Sequence, residues 1–191
     1  MKVTKSQICD TAMTLFQQHG FESVSVEDIC NACEVTRGSF YHHYSNKYDV
    51  LIFWERRHAE KEIQQLEKLE GGDPASELYR YLFDYAKEIS AVGADLMYRI
   101  MLATIESGAN GESSHTGMGT YVGSDALVGL IMNAAKTDKA HGERLLRHYN
   151  MAITGLVFEW KLSNGNFDFP SEANQIAQTV FGNQNQILKG R

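Results

Sequence analysis

A run of polar and basic side chains between Thr36 and Lys47 has the composition of a surface that binds phosphates and base edges. The run contains hydroxyl, guanidinium, phenol, imidazole and ammonium groups, and no acidic residue lies between Val35 and Tyr48. Arginine can hold guanine through two hydrogen bonds, and hydroxyl and backbone N–H groups at the ends of helices bind phosphates. These residue types therefore favour noncovalent contact with nucleic acid over catalysis.

The chain from Ser25 onward is predicted to form two short helices joined by a tight turn. Ser25 and Asp28 have the spacing of a capping box, and Thr36 is the predicted N-cap of the second helix. On that second helix, Phe40 and Tyr44 lie one turn apart and are expected to face inward. This is the layout of a helix-turn-helix, whose second helix presents its N-terminal residues to the major groove of DNA.

Gly38 lies inside the predicted second helix, where glycine costs about 1 kcal/mol relative to alanine. Close approach to a phosphate-lined groove is one reason for a bare backbone at that position. The competing interpretation is an ordinary helical hairpin, one of several in an all-helical protein. The local absence of acidic residues favours DNA binding over that interpretation.

Apolar, aromatic, glycine and polar residues recur at fixed spacing through the N-terminal part of the chain: Ile8, Ala12, Leu15, Phe16, Gly20, Val24, Val26, Ile29, Val35, Thr36, Gly38, Phe40, Tyr41, Tyr44, Lys47 and Leu51. At these positions the sequence resembles the N-terminal signature of the tetracycline-repressor (TetR) family. The resemblance covers roughly the first quarter of the chain. It implies an all-helical, homodimeric transcription regulator, in most cases a repressor, whose C-terminal domain responds to a small molecule. The sequence departs from the pattern at Glu34, where glycine is usual, and at Cys30 and Cys33, which replace small residues.

The resemblance also implies which residues contact double-stranded DNA: Ser25, Thr36, Arg37, Gly38, Ser39, Tyr41, His42 and Lys47. The hydroxyls that begin the two helices would bind phosphates. Arg37 and Ser39 would face base edges, and the residues from Tyr41 onward would hold the DNA backbone. The expected operator is a palindrome, because a symmetric dimer reads two half-sites.

The charge of the chain restricts how it can bind DNA. The 191 residues carry a net charge of −6, whereas many nucleic-acid binders are basic. Residues 1–47 hold four basic and five acidic side chains, a net charge of −1. The basic surface must therefore be a local patch. We expect modest phosphate neutralisation per subunit and a dependence on dimerisation for useful affinity.

Helical periodicity continues through the remainder of the chain, and no segment shows the alternation of a strand. We therefore predict an all-α fold of about nine helices. Residues 1–46 would form the DNA-binding domain, and residues 47–191 a helical regulatory and dimerisation domain. The predicted helices include residues 141–162 and a last helix capped by Ser171. Glycine-rich residues 108–119 are predicted to form a long loop, a kind of segment that tends to be mobile or functional.

A cavity for an unidentified small-molecule effector is predicted within the C-terminal helices, with an aromatic and methionine lining: Tyr81, Tyr85, Met97, Tyr98, Met101 and Trp160. Methionine adapts to irregular ligands. A plain hydrophobic core is the competing interpretation of the same residues. An effector that favoured one conformer by about 1–3 kcal/mol would alter the spacing of two recognition helices, which must lie about 34–36 Å apart.

Dimerisation is predicted through the last two helices, because the helix over residues 141–162 is apolar on two faces. One face can pack on the subunit core while the other meets a partner. The predicted interface consists of apolar and aromatic residues from both helices: Leu145, Tyr149, Ile153, Leu156, Ile176, Val180 and Phe181.

The cysteines offer a different class of function. Cys30 and Cys33 form a C-x-x-C motif, which can be a redox pair or half of a zinc site. No second C-x-x-C exists, and both residues fall on the predicted buried stripe, where cysteine behaves as a small hydrophobe. A cysteine-based redox or zinc protein, or a helical scaffold that ignores DNA, remains an open alternative.

No catalytic constellation stands out in the sequence. Phosphate-loop, nucleophile-elbow and Ser-x-x-Lys motifs are missing, and the pair His141 and His148 has no third metal ligand in view. We expect no enzyme activity, no metal and no cofactor. An odd number of cysteines and the lack of a signal peptide point to the cytoplasm. No apolar run approaches the roughly 18 residues of a membrane span.

Overall fold

The computed structural model describes residues 3–66, 68, 72–109 and 125–182. In these ranges the regular secondary structure is entirely α-helical, which confirms the predicted all-α class. The described helices are α1 (Lys5–His19), α2 (Val26–Ala32), α3 (Arg37–His43), α4 (Lys47–Leu66), α5 (Pro74–Val92), α6 (Ala94–Ala109), α7 (Asp125–Ala135), α8 (Lys139–Leu162) and α9 (Phe169–Gly182).

The first three helices form a unit whose ends are specified locally. Thr4 and Gln7 make the capping box that opens α1: the Thr4 N–H donates to Gln7 Oε1 at 2.9 Å and the Gln7 N–H to Thr4 Oγ1 at 3.2 Å. The inner face of α1 then buries Ile8, Ala12 and Phe16. This apolar stripe is the one that 3.6-residue periodicity predicts. Helix α1 packs against both α2 and α4.

Helix α4 connects this N-terminal unit to the rest of the chain. Asn46 caps it, since its side-chain oxygen accepts from the N–H groups of Tyr48 and Asp49 at 2.7 and 3.1 Å. Its 20 residues correspond to about 30 Å at 1.5 Å per residue. Val50 and Leu51 are fully buried near its start, and further along the helix packs on α6 and α7.

Helices α5 to α9 form the C-terminal part, in which α5 packs on α9 and α8 packs on α7 and α9. Two predicted helix starts were wrong. Helix α8 begins at Lys139, because Asp138 caps it by accepting from the His141 N–H at 2.8 Å. Helix α9 begins at Phe169, and the Ser171 hydroxyl donates to Asp168 instead of capping the helix. In both places an aspartate further upstream supplies the acceptor.

Two sequence predictions fall on other parts of the chain. Residues 110–119 of the predicted loop, and the end of the predicted last helix, lie outside the described residues. Within the described ranges, no helix is both long enough and apolar enough to cross a bilayer. The same ranges contain no cluster of three or more histidine, cysteine or acidic side chains suited to a metal ion.

Candidate nucleic-acid interface

The first helix of the predicted pair is held by its capping box. The Ser25 N–H donates to Asp28 Oδ2 at 2.8 Å, the Asp28 N–H donates to Ser25 Oγ at 3.1 Å, and the Ser25 hydroxyl donates to the same carboxylate at 2.6 Å. The hydroxyl and then the N–H of Ser25 lower the pKa of Asp28. The predicted cap is confirmed, and it uses the hydroxyl hydrogen that a phosphate contact from Ser25 would need.

The turn between α2 and α3 places a non-glycine residue in a left-handed conformation. Glu34 has φ of 53° and is exposed. Thr36 then caps α3, because its Oγ1 accepts from the Ser39 N–H at 3.2 Å. The turn therefore keeps the geometry that glycine usually provides, although Glu34 leaves a carboxylate beside the start of α3.

The inner face of α3 is anchored by aromatic residues, as the spacing predicts. Phe40 is fully buried and Tyr44 nearly so, with their ring centroids 5.6 Å apart. The Tyr44 hydroxyl donates to the Lys5 carbonyl at 2.8 Å and thereby ties the end of α3 to α1. This anchor fixes how α3 is rotated about its own axis.

The outer face of α3 is open to solvent. Arg37, Gly38, Ser39, Tyr41 and His42 are all exposed, and 49% of Tyr41 is accessible. A hydrogen bond with the Tyr41 hydroxyl is the main cause that raises the pKa of Arg37, so the guanidinium stays charged. The structure thus brings five of the predicted contact residues together on one exposed surface of about two helical turns. We call these five residues the α3 outer face.

Gly38 is not required by the packing of the protein. A Cβ built on it would have one neighbour within 4 Å, the Thr36 Oγ1 atom at 3.7 Å, which is an ordinary contact. Its backbone has the right-handed helical conformation of α3. The fold therefore accepts alanine at this position.

Lys47 has a structural role that the sequence analysis did not predict. Its Nζ donates to the carbonyls of Phe21 and Val24 at 2.8 and 2.7 Å and lies 4.5 Å from the centroid of the Phe21 ring. Burial lowers the pKa of this ammonium. The cation at the start of α4 is accounted for by these carbonyls, so a nearby phosphate is no longer needed to explain it.

The cysteines are packed as small hydrophobes. Cys9 and Cys30 are buried and Cys33 is half-buried at the end of α2. Burial raises the pKa of Cys9 to about 12 and raises the pKa of Cys30, which opposes formation of the nucleophilic thiolate.

Comparison with known proteins assigns the N-terminal segment to a family. Residues 8–52 match the model for bacterial regulatory proteins of the tetR family. This segment therefore belongs to the tetR family. It is 37% identical over 83 residues to the HTH-type transcriptional regulator AcrR of Shigella flexneri, covering 41% of this chain and 38% of that protein. It is also 38% identical over 50 residues to the transposon Tn10 TetC protein of Escherichia coli, covering 26% and 25%. The chain therefore spans well under half the length of these curated relatives.

Two solved regulator structures share the fold over nearly the whole chain. Thermus thermophilus FadR, a TetR-family transcriptional repressor in complex with lauroyl-CoA, is 20% identical, with a TM-score of 0.69 and 93% of each chain covered. The fatty acid degradation regulator FadR from Bacillus halodurans is 19% identical, with a TM-score of 0.67, covering 93% of this chain and 94% of that one. At these identities the likeness establishes the fold.

The predicted ligand-lining residues lie in several environments. Tyr81 and Tyr85 stack with centroids 6.4 Å apart, and Tyr85 continues toward His58 of α4 at 6.2 Å. Met97 and Met101 are buried in α6. Tyr98 instead meets Phe158, and Trp160 packs on Phe169 with centroids 4.8 Å apart. Only the aromatic stack between α4 and α5 therefore resembles one wall of a common site.

The predicted dimer residues are largely part of the subunit core. Leu145, Tyr149, Ile153 and Phe181 are buried, and the Tyr149 and Phe181 rings pack with centroids 5.4 Å apart. The remaining predicted residues, Leu156, Ile176 and Val180, are half-buried against that core. The predicted residues of α8 therefore lie mainly on the inner of its two apolar faces. The outer face exposes Met151, Phe158 and Leu162 at 68, 48 and 62%.

Sequence reasoning missed the contacts that join the N-terminal unit to the C-terminal helices. Gln17 Nε2 donates to the Ala91 carbonyl at 3.3 Å, and Arg99 Nη1 donates to Glu22 Oε1 at 2.6 Å. The partners are separated by more than 70 residues, so no local pattern could have paired them.

Proposed function

We propose that this chain is a sequence-specific transcriptional regulator that binds a palindromic operator in double-stranded DNA. The observation that carries the proposal is the α3 outer face, held toward solvent by the buried Phe40 and Tyr44 behind it. A helix fixed in this way can enter the major groove, about 12 Å wide, without unfolding any of its anchor. The membership of residues 8–52 in the tetR family supports the same function.

Each exposed side chain of α3 has a proposed part. Arg37, at the first position of the helix, reads a guanine edge, and Tyr41 holds its guanidinium in position. Ser39 lies on the same turn and reaches an adjacent base. Thr36 and the N-terminal N–H groups of α3 receive a phosphate. His42 holds the backbone on the far side of the helix.

Ser25 and Lys47 contribute less directly. The Ser25 hydroxyl already donates to Asp28, so a phosphate must compete for it or bind the N–H groups at the start of α2. Lys47 has one N–H left beyond its two carbonyl bonds. Its main part is to hold the loop from Phe21 to Val24, and with it the start of α2.

The proposed DNA-binding form is a homodimer. The N-terminal 47 residues carry no net positive charge, so one subunit neutralises few phosphates. We place the partner on the exposed stripe of α8 formed by Met151, Gly155, Phe158 and Leu162, which recur every three or four residues on one side of the helix. This stripe is exposed, whereas most of the interface residues predicted from the sequence are buried in the subunit core.

The proposed regulation is release of the operator by a small-molecule effector. The shared fold with a repressor that holds lauroyl-CoA supports a ligand site in the C-terminal helices. Within those helices the aromatic stack of Trp54, His58, Tyr85 and Tyr81 links α4, which carries the DNA-binding unit, to α5. An effector that moved this stack would move α4. Such a repressor acts on chromosomal DNA, so the proposed compartment is the cytoplasm.

Selection of bound fragments from random duplex DNA tests the proposal. The expected result is an enriched palindrome with half-sites about one helical turn apart. On that sequence, Arg37→Ala should weaken specific binding by about 1–3 kcal/mol while barely changing binding to random DNA. Arg144→Ala, at an exposed arginine of α8, is the matched control and should change neither. Enrichment of no sequence, or equal losses on specific and random DNA for Arg37→Ala, would refute base reading.

A further inference from the structure

A cleft separates the N-terminal unit from the C-terminal helices. It has a volume of about 430 Å³, in the range of small-molecule sites. The end of α1 forms one wall with Phe16, Gln17 and Gly20, and residues 92–96 with Trp160 and its following turn form the other. Anything bound there touches both parts of the protein at once.

The cleft contains a buried donor without an acceptor. Trp160 is 5% exposed, and among the described residues none accepts a hydrogen bond from its indole Nε1–H. Trp160 nevertheless lies in the cleft wall. An unsatisfied buried N–H destabilises the protein, so a group that accepts from it would bind favourably.

Gly165 leaves room beside this donor. A Cβ on Gly165 would lie 3.8 Å from Trp160 Nε1 and 3.7 Å from the Ala94 Cβ, with no closer neighbour. Glycine therefore places no side-chain atom on this side of the indole N–H, at the edge of the cleft that Gly165 itself lines. Any larger residue at this position would bring a Cβ to within 3.8 Å of Trp160 Nε1.

The charges around the cleft are balanced. Lys161 donates to Asp95 at 2.5 Å, and Arg99 binds both Asp95 and Glu22. These two cations and two carboxylates compensate one another, so no charge is left for an ionic ligand. The remaining walls are mainly apolar and aromatic.

We propose that this cleft binds a small neutral molecule with a flat apolar body and one carbonyl-type acceptor, which accepts a hydrogen bond from Trp160 Nε1. The ligand lies between α1 and α6, and its occupancy changes the affinity of the α3 outer face for DNA. The second statement rests on the proposed function, whereas the binding site itself does not.

The indole N–H resonances of the intact protein test the site directly. The chain has two tryptophans, and Trp54→Phe assigns the signal of Trp160. The probe is acetophenone. Ethylbenzene is a control of similar shape that lacks the carbonyl oxygen, and benzoate is an anionic control. Acetophenone should shift the Trp160 N–H signal downfield and saturably, with a Kd of about 1–10 mM for a ligand of nine heavy atoms. Ethylbenzene should bind about three- to tenfold more weakly.

Two variants test the site in different ways, so the conclusion does not depend on a single substitution. Trp160→Phe removes the donor and should abolish the difference between acetophenone and ethylbenzene, measured by ligand-observed titration. Ala94→Leu fills the cleft beside Gly165 and should abolish binding while the Trp160 signal remains visible. An unchanged Trp160 signal, equal binding of the two neutral probes, or tighter binding of benzoate would each overturn the proposal.

Measurement of operator affinity with and without acetophenone tests whether binding in the cleft affects DNA binding, separately from whether the cleft binds a ligand. Saturating acetophenone should change the affinity for the selected operator by at least about fivefold, the lower end of usual coupling. No change would refute the coupling while leaving the site in place. If the protein selects no operator but its Trp160 signal responds as expected, the proposed function fails and the cleft stands.

Discussion

Arg99 of α6 donates from Nη1 to Glu22 Oε1 at 2.6 Å and thereby joins the C-terminal helices to the loop after α1. The same guanidinium binds Asp95 through Nε at 3.0 Å and lies 5.3 Å from the centroid of the Phe21 ring. Asp95 also accepts from Lys161 of α8. Burial alone would raise the pKa of Asp95, but these two cations outweigh it and lower that pKa. A line of charges therefore runs from α8 to the N-terminal unit.

We predict that the two ends of the Arg99–Glu22 pair contribute unequally to stability. Glu22→Gln should lower the free energy of unfolding by less than about 1 kcal/mol, because the Glu22 side chain is 66% exposed and its charge is screened. Arg99→Ala should cost about 1–2 kcal/mol, since it also removes the contacts with Asp95 and Phe21. Denaturant unfolding of both variants measures the difference. Equal costs would show that the pair itself, and not the surrounding packing, dominates.

Gly38→Ala should stabilise the protein and weaken DNA binding. Alanine is the better helix former by about 0.5–1 kcal/mol, and its Cβ meets only the Thr36 hydroxyl at an ordinary distance. On DNA the added methyl group would stand between α3 and the groove. Thermal unfolding and operator titration measure the two effects. A variant that gained stability and kept full affinity would show that the groove does not approach Gly38.

Glu34→Gly should relieve backbone strain in the turn. Glu34 has φ of 53°, a conformation that costs a non-glycine residue about 1 kcal/mol, whereas glycine adopts it freely. The substitution also removes a carboxylate beside the start of α3, where we propose that a phosphate binds, so affinity for DNA of any sequence should rise. Glu27→Gln, which removes an exposed carboxylate from α2 without touching the turn, separates the two effects. Unchanged stability in Glu34→Gly would mean that the turn is unstrained.

His58 should make the protein less stable in mild acid. Burial lowers the pKa of His58, although Glu88, with Oε2 3.0 Å from Nε2, opposes that shift. The unfolded chain then binds a proton first as the pH falls below about 6.5, so stability decreases from there through the folded pKa.

His58→Phe tests this dependence while keeping an aromatic ring in the stack between Trp54 and Tyr85. The slope of the unfolding free energy between pH 5 and about 6.5 should be smaller in the variant. At pH 8, where His58 is neutral in both states, the two proteins differ in packing and in the lost contact with Glu88 but not in the protonation of His58, which provides the internal control. Parallel pH profiles would contradict the assignment.

The exposed stripe of α8 should hold the dimer together. Phe158→Glu places a charge in the middle of that stripe. The dissociation constant of the dimer should rise at least about tenfold, because an unpaired interfacial charge must be desolvated. Phe158 is 48% exposed in the subunit, so the fold itself tolerates the change. Arg80→Glu on the exposed side of α5 is the control. Sedimentation velocity at micromolar concentration reports both, and a monomeric unsubstituted protein would remove the dimer from the proposal.

The local features of the N-terminal unit follow from the sequence alone. The predicted caps at Ser25 and Thr36, and the inward direction of Phe40 and Tyr44, are all confirmed. Each depends on hydrogen bonds or periodicity within three or four residues, so the information lies within one helical turn. The polar and basic character of the α3 outer face likewise follows from the residue types and their helical spacing.

Only the tertiary structure decided which of the two apolar faces of α8 is buried in the core. The sequence shows that α8 is apolar on two faces, but packing against α7 and α9 selects Leu145, Tyr149 and Ile153 for the core and leaves Met151 and Phe158 outside. Packing likewise turned the ammonium of Lys47 toward distant carbonyls, and brought Arg99 to Glu22. These outcomes depend on how helices far apart in sequence are arranged, because burial is a property of the assembled chain and not of any one segment.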